Sequence, residues 1–174
     1  MIKENIELCP WADVVYGCDP AWWRHRKGLP EYTGLKIAWA GAGLNEYPDI
    51  RTVEIAKEGG KYADDILTGE VGKVGGGGNS GFQALNLAVQ FGARRIVLVG
   101  YDMTDRGGVH WYGRNDWKQA NNPNQSNFDR WIKVFEASAP VLRDMGAEVV
   151  NASPDSALKC FPRRSIGDAF KEWE

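Results

Sequence analysis

The stretch Gly75-Gly76-Gly77-Gly78-Asn79-Ser80-Gly81, running straight into Phe82-Gln83-Ala84-Leu85-Asn86-Leu87-Ala88-Val89-Gln90-Phe91-Gly92, decides how the rest of the chain is read. Consecutive glycines leave bare backbone where another group must come close, and Ser80 followed three residues later by Gln83 has the spacing of a capping box. A helix is therefore predicted from Ser80, with Ala84, Leu85, Leu87, Ala88, Val89 and Phe91 on a wide apolar face and Gly92 as its stop. Arg95-Ile96-Val97-Leu98-Val99-Gly100 then reads as a strand buried on both faces, which makes loop, helix and strand the back half of a βαβ unit. The unpaired N–H groups at such a helix start, at the positive end of its dipole, suit a phosphate or carboxylate and are worth about 0.3–1 kcal/mol to it.

The same loop satisfies G-x-G-x-x-G through Gly76, Gly78 and Gly81, with Asp102 just past the next strand, so a dinucleotide fold enters as one alternative. Glu70-Val71-Gly72-Lys73-Val74 ahead of it is too polar for a central first strand, and no Lys-Ser or Lys-Thr follows to make a P-loop. A surface loop whose glycines only permit a turn is the plain structural alternative.

The 174 residues, 43% hydrophobic and 25% charged, suffice for one domain, residues 1–174, with a proper core. A formal net charge of -2 supplies no general attraction for nucleic acid or an anionic membrane. Cys9, Cys18 and Cys160 are an odd set without metal-ligand spacing, which fits a reducing, cytoplasmic compartment. No signal peptide or membrane-length apolar run is evident, and His25 and His110 are too few for a multi-histidine zinc site.

Along the chain, Asp13 to Gly17 predicts a short buried strand, and Asp19-Pro20 starts a helix with Asp19 as N-cap. Trp22 and Trp23, with Arg24 and Arg26, either clamp a ligand there or divide between core and water, while His25 reads as solvated. Gly34 to Trp39 is a second strand, and Ile50 to Ile55, alternating in polarity, suits an edge. Lys57 to Gly78 reads as a surface excursion with a short helix at 63–67. The polar, aromatic segment from Asp105 to Asn127 is costly to order unless it meets something, and reads as an active-site loop. An amphipathic helix from Phe128 through Gly146 should kink or split at Pro140. Ala147 to Val150 is a strand, Ser153-Pro154 a further helix start, and the tail a short surface helix.

The order Gly78-Asn79-Ser80-Gly81-x-x-Ala84-Leu85, then Ile96-Val97-Leu98-Val99-Gly100-Tyr101-Asp102-Met103, His110-Trp111, and Val150 to Leu158 resembles a known superfamily. It is the domain of hydroxymethylpterin diphosphokinase-like proteins, of many phage and prophage proteins, and of bacterial sialyltransferases that use CMP-sialic acid. Asp13 to Trp23 is similar to the phage branch in particular. The resemblance implies an α/β, Rossmann-like, mostly parallel sheet flanked by helices, with the usual first strand and its glycine-rich loop missing here. It also implies a nucleotide held by Gly78, Asn79, Ser80 and Gly81, with Asp102 at the neighbouring strand end and His110 in the place of the catalytic base. Ser153 and Ser156 match the turn that closes the site, and Tyr112 is a displaced substitute for an aromatic residue that is Thr104 here.

In glycosyl transfer the acceptor hydroxyl must lose a proton, and an imidazole titrating near neutrality suits that role. Helix N-terminal amides and the Tyr112 phenol would compensate the leaving phosphate without a metal. The expected function is thus a metal-independent, nucleotide-dependent transferase acting on a donor such as a CMP-sugar, with no separate cofactor. The alternatives are a catalytically inactive nucleotide-binding or assembly module, a diphosphokinase with magnesium on Asp102 and Asp105, and an NAD-dependent enzyme. Expected partners are a nucleotide or nucleotide-sugar, with neither nucleic acid nor a membrane span, and a homo-oligomer is compatible with all of these.

Overall fold

The computed structural model describes residues 1–173 and shows a mixed α/β, Rossmann-like architecture, a mostly parallel sheet flanked by helices. Strand β1 (Val14–Gly17) leads into α1 (Pro20–His25), whose N-cap Asp19 accepts the Ala21 N–H and whose first residue is proline, as the local sequence predicts. Strands β2 (Leu35–Trp39) and β3 (Arg51–Ile55) follow, then a two-residue hairpin of β4 (Lys57–Glu58) and β5 (Lys61–Tyr62), and then β6 (Lys73–Val74). Helix α2 (Ser80–Gln90) precedes β7 (Arg95–Leu98), and α3 (Gln125–Asp144), β8 (Glu148–Asn151) and α4 (Ile166–Trp173) complete the chain.

The parallel sheet runs β1-β2-β3-β6, and β7-β8 form a separate parallel pair. Between them stands a single rung: the Met1 amino group donates to Val14 O (3.0 Å), Tyr16 N–H donates to Met1 O (2.9 Å), and Ile2 bridges Tyr16 in parallel sense. Ile2 packs against both flanking clusters, so this rung spans the sheet and the pair.

Helix α2 joins the two halves because it is buried on nearly every side. Leu85 and Val89 pack with Ile96, Leu98 and Phe135, while Leu87 packs with Tyr16, Val53 and Val74. Trp22 and Trp23 meet edge to face, are fully buried and fill a third cluster with Val15 and Leu44, which decides for core over ligand clamp.

Several local expectations are corrected. Ser80 and Gln83 form no capping box: the N-cap is Asn79, whose side chain accepts the Phe82 N–H at 2.8 Å. Strand β3 is not an edge, because the segment judged too polar for a central first strand supplies the short β6, which takes the edge instead. Residues 63–67 are not helical, and neither is the Ser153-Pro154 segment. Strand β7 keeps only Ile96 and Leu98 fully buried, and Phe91 is exposed. Helix α3 starts earlier, at a capping box of Asn124 and Asn127, and runs unbroken through Pro140. Among the described residues no helix is long and apolar enough to cross a membrane.

Candidate functional site

Parallel strands deliver their carboxyl ends to one side, and the residues that follow β1 and β7 meet there the first turn of α2. From β1, Cys18 donates its N–H to Ser80 Oγ (3.2 Å) and lays its thiol 3.1 Å from the same oxygen. From β7, the Tyr101 hydroxyl donates to Gly81 O (3.0 Å). Ser80 and Gly81 are thereby pinned between two strand ends, which gives the first turn of α2 a fixed direction.

The glycines ahead of it are explained by protein contacts. A Cβ on Gly75 would overlap the carbonyl oxygen of Asp65, one on Gly77 the ring of Phe82, and one on Gly78 the guanidinium of Arg130. Gly77 and Gly78 also carry φ of +58° and +73°, where an L side chain is strained. The group that approaches this bare backbone is therefore the protein itself. Arg130 Nη2 grips both carboxylate oxygens of Asp64 (2.7 and 3.1 Å), and Asp64 Oδ1 also accepts the Gly77 N–H at 2.8 Å. Arg130 is nearly half exposed beside Gly78, a cation that sequence reasoning missed because it lies on α3, remote in the chain.

Asp102 is exposed at the mouth, and its carboxyl is pushed above the usual range by partial burial and then by the neighbouring Asp155. Ser153 and Ser156 are buried, and their hydroxyls are engaged inward. Ser153 Oγ accepts the Tyr101 N–H (2.7 Å), and Ser156 Oγ donates to Tyr101 O (2.6 Å). They hold the Tyr101-Asp102 turn in place, and the Ser153 hydroxyl caps no helix.

His110 lies in the loop whose next residue, Trp111, donates to Asn5 of the 3-10 turn Lys3–Glu7. Its ring stacks on Tyr112 (centroids 5.0 Å apart, planes at 10°), and Nε2 is 3.4 Å from Asn115 Nδ2, long for a hydrogen bond. The Tyr112 phenol donates to Asn115 Oδ1 (2.9 Å) and is pushed up to about 12 by burial and then Glu4. Asn115, Asn121 and Asn122 stitch the loop to itself through hydrogen bonds of the Asn115 and Asn122 amides, which offsets the cost of ordering a polar segment. Trp117 of the same loop stacks on one face of His25 (4.6 Å), which is otherwise exposed, as expected.

Burial, then the Lys3 and Arg114 charges, holds the His110 imidazole below its ordinary value of 6.5. At neutral pH it is therefore an unprotonated base, and its contribution to stability is present above pH 6.5 and lost as pH falls through the lowered value. An NMR titration of the His110 ring is expected to show a midpoint below 6.5, and Lys3→Met should raise it. A midpoint at or above 6.5 would contradict this placement.

Gly78 and Asn79 precede the first turn of α2, Ser80 and Gly81 open it, and Asp102 follows Tyr101, whose hydroxyl reaches Gly81. His110 is set in its own loop, against Tyr112 and Asn115. No hydrogen bond among the described residues links His110 directly to Asp102 or to Asn79, Ser80 or Gly81. Cys18, which lies in the Asp13 to Trp23 stretch, was not singled out as a contact of the α2 terminus, because its partner Ser80 is remote in the chain. No protein-family model, curated protein or solved structure matches the chain.

Proposed function

We propose that this protein binds a nucleotide at the first turn of α2 and transfers a group from a nucleotide-activated donor, most simply a sugar from a CMP-sugar, without a metal ion. The observation that carries the reading is the pinned α2 terminus at the carboxyl ends of β1 and β7, where Cys18 and Tyr101 hold Ser80 and Gly81. The anionic phosphate would lie against the Ser80 and Gly81 amides. In the transfer step an acceptor oxygen bonds to the anomeric carbon as the bond from that carbon to the phosphate oxygen breaks. The nucleotide leaves with the electron pair, and the acceptor proton passes to the neutral His110 imidazole. Tyr112 keeps that ring in plane, and Asn115 holds it through a long contact that an acceptor hydroxyl can replace.

A second reading is a nucleotide-binding or assembly module without turnover. It is favoured by His110 having its polar contact with Asn115 of its own loop, and by protein atoms filling the space before the glycines.

Calorimetric titration with CMP, CMP-sialic acid, ATP and NAD, combined with a donor-hydrolysis assay, tests both. The transferase reading expects cytidine nucleotide binding and donor turnover that falls about 10²–10⁴-fold in His110→Ala. Binding with turnover indifferent to that substitution removes His110 from its role. Binding without turnover supports the module, NAD binding alone supports an oxidoreductase, and no binding at all refutes the nucleotide site.

A further inference from the structure

Strands β1 and β7 point the same way, since the residues after each hold the first turn of α2, yet no ladder joins their sheets. Each has one partner strand, β2 for β1 and β8 for β7. Backbone groups alternate sides along a strand, and on β7 the β8 side is fixed by Glu148 N–H donating to Arg94 O and Ala152 N–H to Leu98 O. The N–H and C=O of Arg95 and Val97 therefore face away from β8. On β1, Leu35 N–H donates to Asp13 O, so the Val14 N–H faces away from β2. Beyond those ladders none of these groups has a hydrogen-bond partner among the described residues. Met1 and Ile2, on the open side of β1, bond to β1 and not to β7. Met1 and Val14 also line an apolar hollow of about 300 Å³, whose other walls include Leu87 and Ala88 of α2 and the exposed rings of Trp11 and Phe91 (79% and 56%).

We propose that an extended segment of a partner protein docks here as an added strand. Its backbone takes up the open groups of Val14, Arg95 and Val97, and its apolar side chains fill the hollow against α2. Open strand edges select an extended chain over a helix or a flat ligand, because only an extended backbone meets their donors and acceptors in register. Leu87 and Ala88 select apolar side chains on the face that meets them, a face that a strand presents at every second residue. A second copy of this chain does not supply such a segment, because its outermost strands are short and each carries lysine: Lys57–Glu58, Lys61–Tyr62 and Lys73–Val74. The hollow shares no residue with the Cys18, Ser80, Gly81 and Tyr101 cluster at the α2 terminus, so the docking surface stands whether or not a nucleotide binds there.

The test uses acetylated, lysine-flanked peptides that alternate valine with threonine, and a control with proline in place of the central valine, which lacks the N–H that a strand needs. Amide hydrogen exchange followed by NMR is expected to slow about tenfold or more at Val14, Arg95 and Val97 with the alternating peptides, and to stay unchanged with the control. Ala88→Glu, which sets a charge in the hollow, should weaken peptide binding about tenfold or more. Trp11→Ala, at a ring too exposed to hold the fold, should weaken it by a smaller factor. Binding of neither peptide, equal binding of both, or slowed exchange confined to other amides overturns the docking site. So does an affinity within about twofold of wild type in both variants. Sedimentation equilibrium is expected to show a monomer. A dimer that Ala88→Glu dissociates would mean that a second copy covers the hollow, which overturns the partner strand.

Discussion

Gly75→Ala is expected to destabilise the fold by about 3 kcal/mol, a large share of the roughly 5–15 kcal/mol that holds a domain of this size together. The Cβ would overlap the Asp65 carbonyl oxygen, which is backbone and cannot rotate aside as a side chain could. The Gly75 N–H is meanwhile bound to Asn86 Oδ1 at 2.9 Å, so retreat on the other side costs a buried hydrogen bond. The contrast is Gly92→Ala, where φ is +91° but nothing lies within 4 Å, and where the loss should be about 1 kcal/mol. Urea denaturation of the two variants measures the difference. Equal midpoints would show that the glycine run is tolerant and not a packed crossing point.

Asn86→Leu is expected to cost about 3–5 kcal/mol, although it places an apolar residue in an apolar helix. Asn86 is fully buried: Oδ1 accepts from Leu67 N (3.0 Å) and Gly75 N (2.9 Å), and Nδ2 donates to Leu67 O (2.7 Å). Leucine would strand two backbone N–H groups away from water, each worth about 1–3 kcal/mol. Gln83 and Gln90 act in the same way one turn to either side. Gln83 Nε2 donates to Gly76 O (2.7 Å) and its Oε1 accepts from the Tyr16 hydroxyl (2.9 Å), and Gln90 Nε2 donates to Lys73 O (2.7 Å). Together these three side chains hold residues 67–76 onto α2. Faster hydrogen exchange at the Leu67 and Gly75 amides, together with a lower urea midpoint, is the expected signature. Unchanged protection of those amides would refute the role given to Asn86.

The glycine turn has the same arrangement behind both results. Its bare backbone is closed over by Asp65, Phe82 and Arg130 and tethered from beneath by Asn86 and Gln83. Such a turn is rigid, and it fixes where α2 begins. The position of the α2 terminus between β1 and β7, on which ligand binding depends, follows from that rigidity and from the Ser80 and Gly81 contacts.

What could be read from residue order alone were the elements whose signals are local. Asp19-Pro20 marks a helix start because the cap and the proline act within one turn. The strands at 14–17, 35–39, 95–98 and 148–151 and the helix after the glycines follow from runs of apolar residues long enough to be unambiguous. The parallel α/β class follows from their alternation. Local signals also misled where two neighbouring residues were both able to cap one helix. Asn79, one position before Ser80, has the side-chain carbonyl that reaches the Phe82 N–H, and it takes the cap.

Tertiary structure decided everything that needs two distant segments at once. The polar stripe of Gln83, Asn86 and Gln90 looks like a solvent face until the 67–76 backbone, which needs those donors and acceptors, is laid against it. Ser153 and Ser156 look like ligand contacts until the Tyr101 main chain claims their hydroxyls. Arg130 reaches Gly78 from a helix far along the chain, a meeting that no sequence window contains. His110 was legible as the single histidine in a polar loop, but its lowered pKa comes from burial first and then from the Lys3 and Arg114 charges. The chain order therefore determined which pieces exist. Packing determined which polar groups are consumed in holding those pieces together and which remain at the mouth, because a buried hydrogen-bonding group must be satisfied by whatever backbone folds against it.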